Sequence, residues 1–557
     1  MKIINISQPV TKTDNLNKKD QIHLLTQFFI HRDPKRNTEL KICLKKNSNN
    51  QHISKIHLLN EKIFNPRELG VNSDKICQKN IKERLTYQAI FKYVRENKLK
   101  GYIIFANSDI FFDETIGNLR VSTLDKQKQF YTLLRYEYDN KDTKTSPIFG
   151  PRFDSQDTWI YHTNFPILET QEPIFNYQFG QPGCDNKFIY LINILGYQPV
   201  NDPTFIKTYH FHRDTSRAYT DANVIQPPWG IATPTSYEIE SLLPSMGIDM
   251  SLVSKTTKGF KEMNFADNDV IRQFIIDKFN CGKQFIVPRV AGVENNFAVF
   301  AHIVKTQGGI HPSLQEYFRN MSPTMKKNAG IYVPNMDVII KYSDLYLSAF
   351  DHCEMFSGWE SWGNVMPGIQ QSYCELLKMY PSKNIVWSFA LDIFHYIYTN
   401  PWTLALKGKK LLIVSSFEES IKEKIPIRKH LYGIDLFPEC HIITIKPPMT
   451  QADEPTREFD VELMEFFSRL DLIKDQYDVA LVSAGGYGNL ICDHIYQSGK
   501  SSIYIGGVLQ MYFGILGQRW IDERPDVVKL FFNKHWSRPK PHERPKKFDG
   551  IENGCYW

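Results

Sequence analysis

Asn107, Asp109 and Asp113 follow the apolar run Tyr102-Ile103-Ile104-Phe105, so an amide and two carboxylates stand where a buried strand should end. Open α/β sheets bind ligands at the carboxyl ends of their strands, which suits these residues to a metal or ligand site. Either acid would equally serve as a cap for the turn that follows. Later segments supply more groups of the same kind. Asp157 stands two residues before Trp159 in SQDTWIYH, and Asp185 opens a helix-like stretch in GCDNKFIYLINILGY. His210 and His212 alternate in TYHFHRD, and alternate residues share one face of a strand. An acidic strand end, an acidic helix start and a late histidine are each common alone; their order along one α/β domain is much less common.

The elements around them read as that domain. ERLTYQAIFKYVREN has apolar residues at helical spacing, and KGYIIFANSDIFF then reads as a buried strand. DNKFIYLINILGYQPV repeats the scheme, a helix stopped by Gly196 and then a strand. A stretch rich in Pro, Ser and Thr, NVIQPPWGIATPTSYEIESLLPS, reads as a linker. The expected organisation is an α/β domain over 1–222, a linker over 223–264 and a second α/β domain over 265–557. At 557 residues, more than one core is the default. The basic, Pro-rich SRPKPHERPKKFDG near the end is expected to be an extended surface segment.

Bulk composition excludes several classes. The 67 basic and 61 acidic residues leave +6, too small an excess for a nucleic-acid partner. Nine cysteines without a C-x-x-C pair give no zinc site or disulfide framework and suit a reducing compartment. The longest apolar run, SSIYIGGVLQMYFGILG, is broken by glycines and Gln510, so no transmembrane segment is expected. These points together lead one to expect a soluble, cytoplasmic protein.

Over residues 1–222 the chain resembles the GT-A class of nucleotide-sugar glycosyltransferases. ANSDIFFD resembles the class's Asp-x-Asp motif in an Asn-x-Asp form, carried by Asn107 and Asp109. GCDN followed by a helix and Gly-Tyr resembles the motif of the inverting base, which implies that role for Asp185; the bland alternative is a helix cap. The late histidine matches a metal ligand of many members, here His210 or His212. The resemblance implies a divalent cation, Mn or Mg, on Asp109, the histidine and Asp113. Asn107 departs from the pattern by supplying an amide. The cation would neutralise a nucleoside diphosphate leaving group, and a carboxylate facing the acceptor hydroxyl would act as general base. Asp157 with Trp159 would hold the acceptor sugar, unless Trp159 belongs to the core.

The second half contains YDVALVSAGGYGNLICDHI, a strand, a turn bearing Gly485, Gly486 and Gly488, and a helix. Such turns set backbone N–H groups against phosphates, although a tight turn with no ligand looks the same. Ile491 replaces the third glycine of a dinucleotide fingerprint and the next strand ends in glycine, which disfavours NAD or FAD. IVPRVAGVENN places Arg289, Gly292 and Glu294 just beyond another strand. With the terminal GCYW, these segments resemble the GT-D class of glycosyltransferases over about residues 265–520. There an Arg-x-Gly-Asp-Gly-Glu-like element meets nucleotide sugar and metal; here Ala291 stands where the extra Asp would be. Arg519 and Trp520 would face the same crevice or form a buried structural pair.

The resulting expectation is two Rossmann-like α/β domains, GT-A-like then GT-D-like, forming a bifunctional glycosyltransferase that moves sugars from nucleotide-sugar donors to a glycan acceptor. Asp185 and Glu294 are the candidate catalytic carboxylates. Rival expectations are one active domain with a degenerate acceptor-binding domain, a glycan-binding scaffold, or a phospho- or nucleotidyltransferase.

Overall fold

The computed structural model describes residues 20–150, 152, 154–213, 223–232, 234, 266–361, 364–365 and 368–557. The chain divides into two compact units. One comprises residues 1–186, 198–227 and 232–237; the other comprises residues 187–197, 228–231 and 238–557.

The first unit contains β1 (Ile22–Thr26), β2 (Lys55–Asn60), β3 (Ile76–Asn80), β4 (Tyr102–Ala106), β5 (Ile110–Phe112), β6 (Gln129–Leu133), β7 (Tyr136–Glu137), β8 (Thr158–His162), β9 (Gln198–Val200) and β10 (Thr208–His210). A seven-stranded mixed sheet runs β3-β2-β1-β4-β8-β6-β9, and a three-stranded sheet runs β5-β10-β7. Strands β1 to β4 pair in parallel, whereas β8 runs antiparallel to β4. Every residue of β4 is buried, as its unbroken apolar run requires of a strand covered on both faces. Removing the Phe105 ring from this strand would cost about 3–5 kcal/mol.

The helices carry their own start signals. Helix α1 (Pro34–Asn49) has Pro34 at its first position, and the Asp33 carboxylate accepts from Lys35 N at 2.8 Å. After the short α2 (Pro66–Leu69), helix α3 (Tyr87–Glu96) is capped by Thr86, whose hydroxyl accepts from Ala89 N at 3.1 Å. Tyr87, Ile90, Phe91 and Val94 form its buried stripe at helical spacing. Helix α4 (Cys184–Ile194) ends ahead of Gly196, whose φ of 79° is the left-handed conformation that glycine adopts freely.

In the second unit the strands are β11 (Ile286–Val287), β12 (Met355–Gly358), β13 (Glu360–Ser361), β14 (Asn364–Val365), β15 (Asn384–Trp387), β16 (Lys410–Ser415), β17 (His441–Ile445), β18 (Val479–Ser483) and β19 (Ser501–Tyr504). A five-stranded sheet runs β11-β19-β18-β16-β17, and all of its pairings are parallel. Leu412, Val414, Ala480 and Val482 pack in one core, and Leu411, Ile413, Val479 and Leu481 pack in another. Alternate residues thus feed opposite faces, and both faces are covered. Both units are mixed α/β with parallel-rich sheets.

The tail departs from the sequence expectation of an extended surface segment. Glu543 is buried, and its carboxylate accepts from Glu419 N, Ser420 N and Lys540 N at 3.0–3.1 Å. Ile551, Cys555 and Trp557 are buried as well. Aromatic anchors and a carboxylate that caps a helix start outweigh the segment's Pro-rich, basic character.

Candidate functional site

Asp109 lies where the chain leaves β4 of the large sheet and enters β5 of the small one. Antiparallel pairing of β5 with β10 sets Ile110 opposite His210, and Phe211 N donates to Asp109 O at 2.9 Å. That register brings the histidines to the carboxylate. His210 Nε2 is 3.2 Å and His212 Nδ1 3.9 Å from Asp109 Oδ2. One ligand atom from each of the three residues falls within 4.8 Å of the others, and Asp109 Oδ1 is buried with no hydrogen-bond partner.

Residues with no signal in the sequence complete the network. Arg36, on α1, donates to Asp109 Oδ2, to Glu39 at 2.9 Å and to Phe211 O at 2.9 Å. Glu137, on β7, accepts from His210 Nδ1 at 3.0 Å and from Arg135 Nε at 2.7 Å. Burial opposes charge on Asp109, but His210 and Arg36 outweigh it and hold the carboxyl far below its ordinary range. Burial likewise opposes charge on His210, yet Asp109 and Glu137 at its two nitrogens lift it to about 9. His212 is lowered by burial and by Arg36, which keeps its imidazole neutral.

This donor set fits a divalent cation. Asp109 Oδ1 has free lone pairs, His212 is unprotonated, and Glu137 orients the imidazole of His210 from its far nitrogen, as carboxylates do behind metal-bound histidines. His210 must release its Nε2 proton to join. Asp113 does not belong to the group. One of its oxygens caps the next turn by accepting from Thr115 N at 2.9 Å, and the other accepts from the Tyr209 hydroxyl at 3.0 Å. The capping alternative holds for Asp113, and its metal assignment is corrected.

Asn107 Nδ2 donates to Asp157 Oδ1 at 2.7 Å, and Arg135 Nη1 donates to Asp157 Oδ2. Asp157 is therefore bound internally on both oxygens. Asp185 lies in the first turn of α4, and its Oδ2 accepts from Gln156 N at 3.1 Å, one residue from Asp157. Burial, with repulsion from Asp157, raises the Asp185 carboxyl to about 7 despite that hydrogen bond. Trp159 is fully buried, stacked on Phe105 at 5.7 Å and edge-on to Tyr87 and Phe179. An indole with no exposed face cannot carry a sugar ring, so its expected acceptor role is corrected to core packing.

In the second unit, Arg289 follows β11 and Glu294 lies in the first turn of the helix Gly292–Gln307. A side chain at Gly292 would meet open space. Glu294 is half-buried, and burial lifts its carboxyl to about 7, with Glu552 adding repulsion. Arg289 N donates to Asn489 Oδ1 at 3.1 Å, and the guanidinium lies 4.9 Å over the Trp359 ring. The Gly-rich turn is filled by protein. A Cβ on Gly486 would lie 2.4 Å from Ile331, and one on Gly488 would lie 2.3 Å from the Tyr504 ring. The hydroxyls of Tyr504 and Tyr342 donate to Gly485 O at 2.8 Å and to Gly486 O at 3.0 Å. Close packing accounts for these glycines, and the expected phosphate cradle at Gly485, Gly486 and Gly488 is corrected accordingly. Trp520 is buried and Arg519 half-buried.

No family model matches the chain, and no curated protein is detectably similar to it. Solved structures that resemble parts of it include glycosyltransferases. A mannosyltransferase from Pyrobaculum calidifontis, in complex with GDP-Man and Mn2+, aligns at 8% identity over 36% of this chain with a TM-score of 0.24. The alignment spans only 59% of that enzyme. A glycosyltransferase (DUF1792) from Streptococcus sanguinis aligns at 14% identity over 49% of this chain and 94% of its own, with a TM-score of 0.24. A 4-diphosphocytidyl-2C-methyl-D-erythritol synthase from Anaerococcus prevotii aligns at 15% identity over 33% of this chain and 87% of its own, with a TM-score of 0.23. Likeness at these scores carries neither activity nor substrate over to this chain. Among the described residues, no helix is long and apolar enough to cross a membrane.

Proposed function

We propose that the chain is a glycosyltransferase that takes sugars from nucleotide-sugar donors and adds them to a glycan, with one site in each unit. The observation that carries this reading is the pairing, within the first unit, of a metal-competent group with a poised base. Asp109 Oδ1 is unpartnered beside His210 and His212, and Asp185 is raised to about 7.

In the first unit Asp185 takes the proton of the acceptor hydroxyl as that oxygen bonds to the anomeric carbon of the donor. The bond from that carbon to the diphosphate oxygen breaks, and its electron pair leaves with the nucleoside diphosphate. Attack opposite the leaving group inverts the anomeric centre. Asp109, His210 and His212 would hold a divalent cation (Mn or Mg), which would supply positive charge at the leaving diphosphate. Two imidazoles beside one carboxylate favour Mn over Mg, because nitrogen ligands suit the softer ion. Glu137 and Arg36 hold the ligand side chains in place. In the second unit the half-buried Glu294, raised to about 7, is the corresponding base.

One observation favours a narrower alternative, in which the second unit only binds the acceptor: its Gly-rich turn is closed by Ile331 and Tyr504. The test is incubation of the full chain with a panel of nucleotide sugars and Mn2+, reading released nucleoside diphosphate. Release from one donor class is expected. No release from any donor, with or without metal, would remove the transferase reading.

A further inference from the structure

The GT-D resemblance implies a metal in the second unit, and the residues present do not fit one. The position where an acidic residue would stand is Ala291, whose methyl group offers no ligand. Among the described residues, Asp109, His210 and His212 form the only group of three metal-ligating side chains close enough to share an ion. Glu294 belongs to no such group; the acidic side chain that acts on it is Glu552.

Guanidinium groups gather there instead. Arg289 lies against the turn after β19: its Nη1 donates to Ile505 O, and a Cβ on Gly506 would fall 2.8 Å from that nitrogen. A Cβ on the next residue, Gly507, would fall 2.1 Å from the Tyr556 ring. Arg519 stacks on the same ring, 4.9 Å from its centroid, and its Nη1 donates to the Tyr556 hydroxyl at 3.1 Å. Arg524 lies 5.5 Å over the Phe389 ring. Asp392, buried one turn beyond Phe389, feels all three arginines; burial raises its carboxyl to about 6 while Arg289, Arg524 and Arg519 pull it down. Arg519 is paired with Glu552, but among the described residues neither Arg289 nor Arg524 has a carboxylate at ion-pair distance. Two half-buried guanidinium groups thus lack an ion-pair partner among the described residues, with the single buried carboxyl of Asp392 facing three arginines, so the local charge disfavours a cation and favours an anion.

We infer that the second unit binds the diphosphate of its nucleotide without a metal, on Arg289, Arg519 and Arg524 around the Gly506–Gly507 turn. Forked guanidinium donors match pairs of phosphate oxygens, and stacking on Trp359, Tyr556 and Phe389 fixes their planes beforehand. Gly507 leaves room for Tyr556 to close beneath Arg519, which gives the terminal segment a place in this site. The inference rests on the reading of the second unit as a nucleotide-sugar site.

The test uses the full chain carrying Asp109→Asn, which disables the first unit's metal group. Inorganic pyrophosphate and the uridine, guanosine, cytidine and adenosine diphosphates are titrated calorimetrically in chelator and again with Mn2+. Binding that persists in chelator is expected, weakened tenfold or more by Arg524→Gln and by Arg289→Lys, which keeps the charge but loses the fork. Unchanged melting of each variant without nucleotide separates lost binding from lost folding. Binding that appears only with Mn2+, or that neither variant weakens, would overturn the inference and leave the nucleotide reading intact. Absence of binding to every probe in both conditions would overturn the nucleotide reading itself.

Discussion

Lowering the pH from 8 to 5 should silence the first unit's transfer in step with the Asp185 carboxylate. Burial and the neighbouring Asp157 set that carboxyl at about 7, against the opposing hydrogen bond from Gln156 N. A base works only when ionised, so the active fraction is about nine-tenths at pH 8, half at pH 7, a tenth at pH 6 and a hundredth at pH 5. The rate at saturating donor should therefore fall roughly ninetyfold across that range. Asp157→Asn removes the negative neighbour and should move the midpoint to lower pH. Asp185→Asn should lower the rate about a hundredfold or more and flatten the profile. Acid unfolding through this group does not mimic the effect, because its sign is opposite. A carboxyl raised in the folded state contributes stability that is full at low pH and lost as pH rises through about 7. The assay is the initial rate of nucleoside diphosphate release at each pH, with circular dichroism as a control for folding. A flat profile from pH 5 to 8, or a midpoint indifferent to Asp157→Asn, would return Asp185 to the role of a helix cap.

Three further outcomes follow from geometry elsewhere in the chain. His23 Nδ1 and His57 Nε2 lie 3.0 Å apart in the first core, and burial with His23's repulsion lowers His57 to about 4, from 6.5. The neutral pair's stabilisation is complete above about pH 6.5 and lost toward pH 4, so wild type should lose about 2 kcal/mol more than His57→Gln between pH 7 and 5; parallel denaturant curves would contradict this. Gly486→Val should cost about 1–3 kcal/mol without any nucleotide present, because the side chain meets Ile331 and Ala329. A variant of normal stability that only loses nucleotide binding would restore the phosphate cradle. Glu137→Gln should weaken Mn2+ binding about 10–100-fold through His210, with the rate recovering at saturating metal; unaltered affinity would detach Glu137 from the metal group.

Much of the scaffold is legible in the sequence, because apolar runs and caps are local signals. The run Tyr102 to Ala106 reads as a buried strand, and Tyr87, Ile90, Phe91 and Val94 read as a helix face. Asp109 with His210 and His212 is legible from strand ends and alternation, although only the β5–β10 register brings them together. Arg36 and Glu137 are not legible, since they reach the cluster from α1 and β7 through tertiary packing alone. Trp159 and the Gly-rich turn mislead for a related reason. An aromatic beside an acid, or a row of glycines, looks the same in sequence whether it faces a ligand or a protein neighbour, and here Phe105, Ile331 and Tyr504 fill those places. The basic tail misleads because Glu543 and Trp557 anchor it more strongly than its prolines suggest.

The most direct test of nucleotide-sugar chemistry at the Asp109 group is donor turnover by wild type, Asp109→Asn and Asp185→Asn, each with Mn2+ and with chelator. With the first unit's donor, wild type should release nucleoside diphosphate with Mn2+ and lose that release in chelator, any metal-independent remainder belonging to the second unit. Asp109→Asn should lack this Mn2+-dependent release while folded, and Asp185→Asn should bind the first unit's donor yet release roughly a hundredfold less from it. Full wild-type release in chelator, together with unimpaired release by Asp109→Asn, would contradict the assignment of sugar transfer to this site.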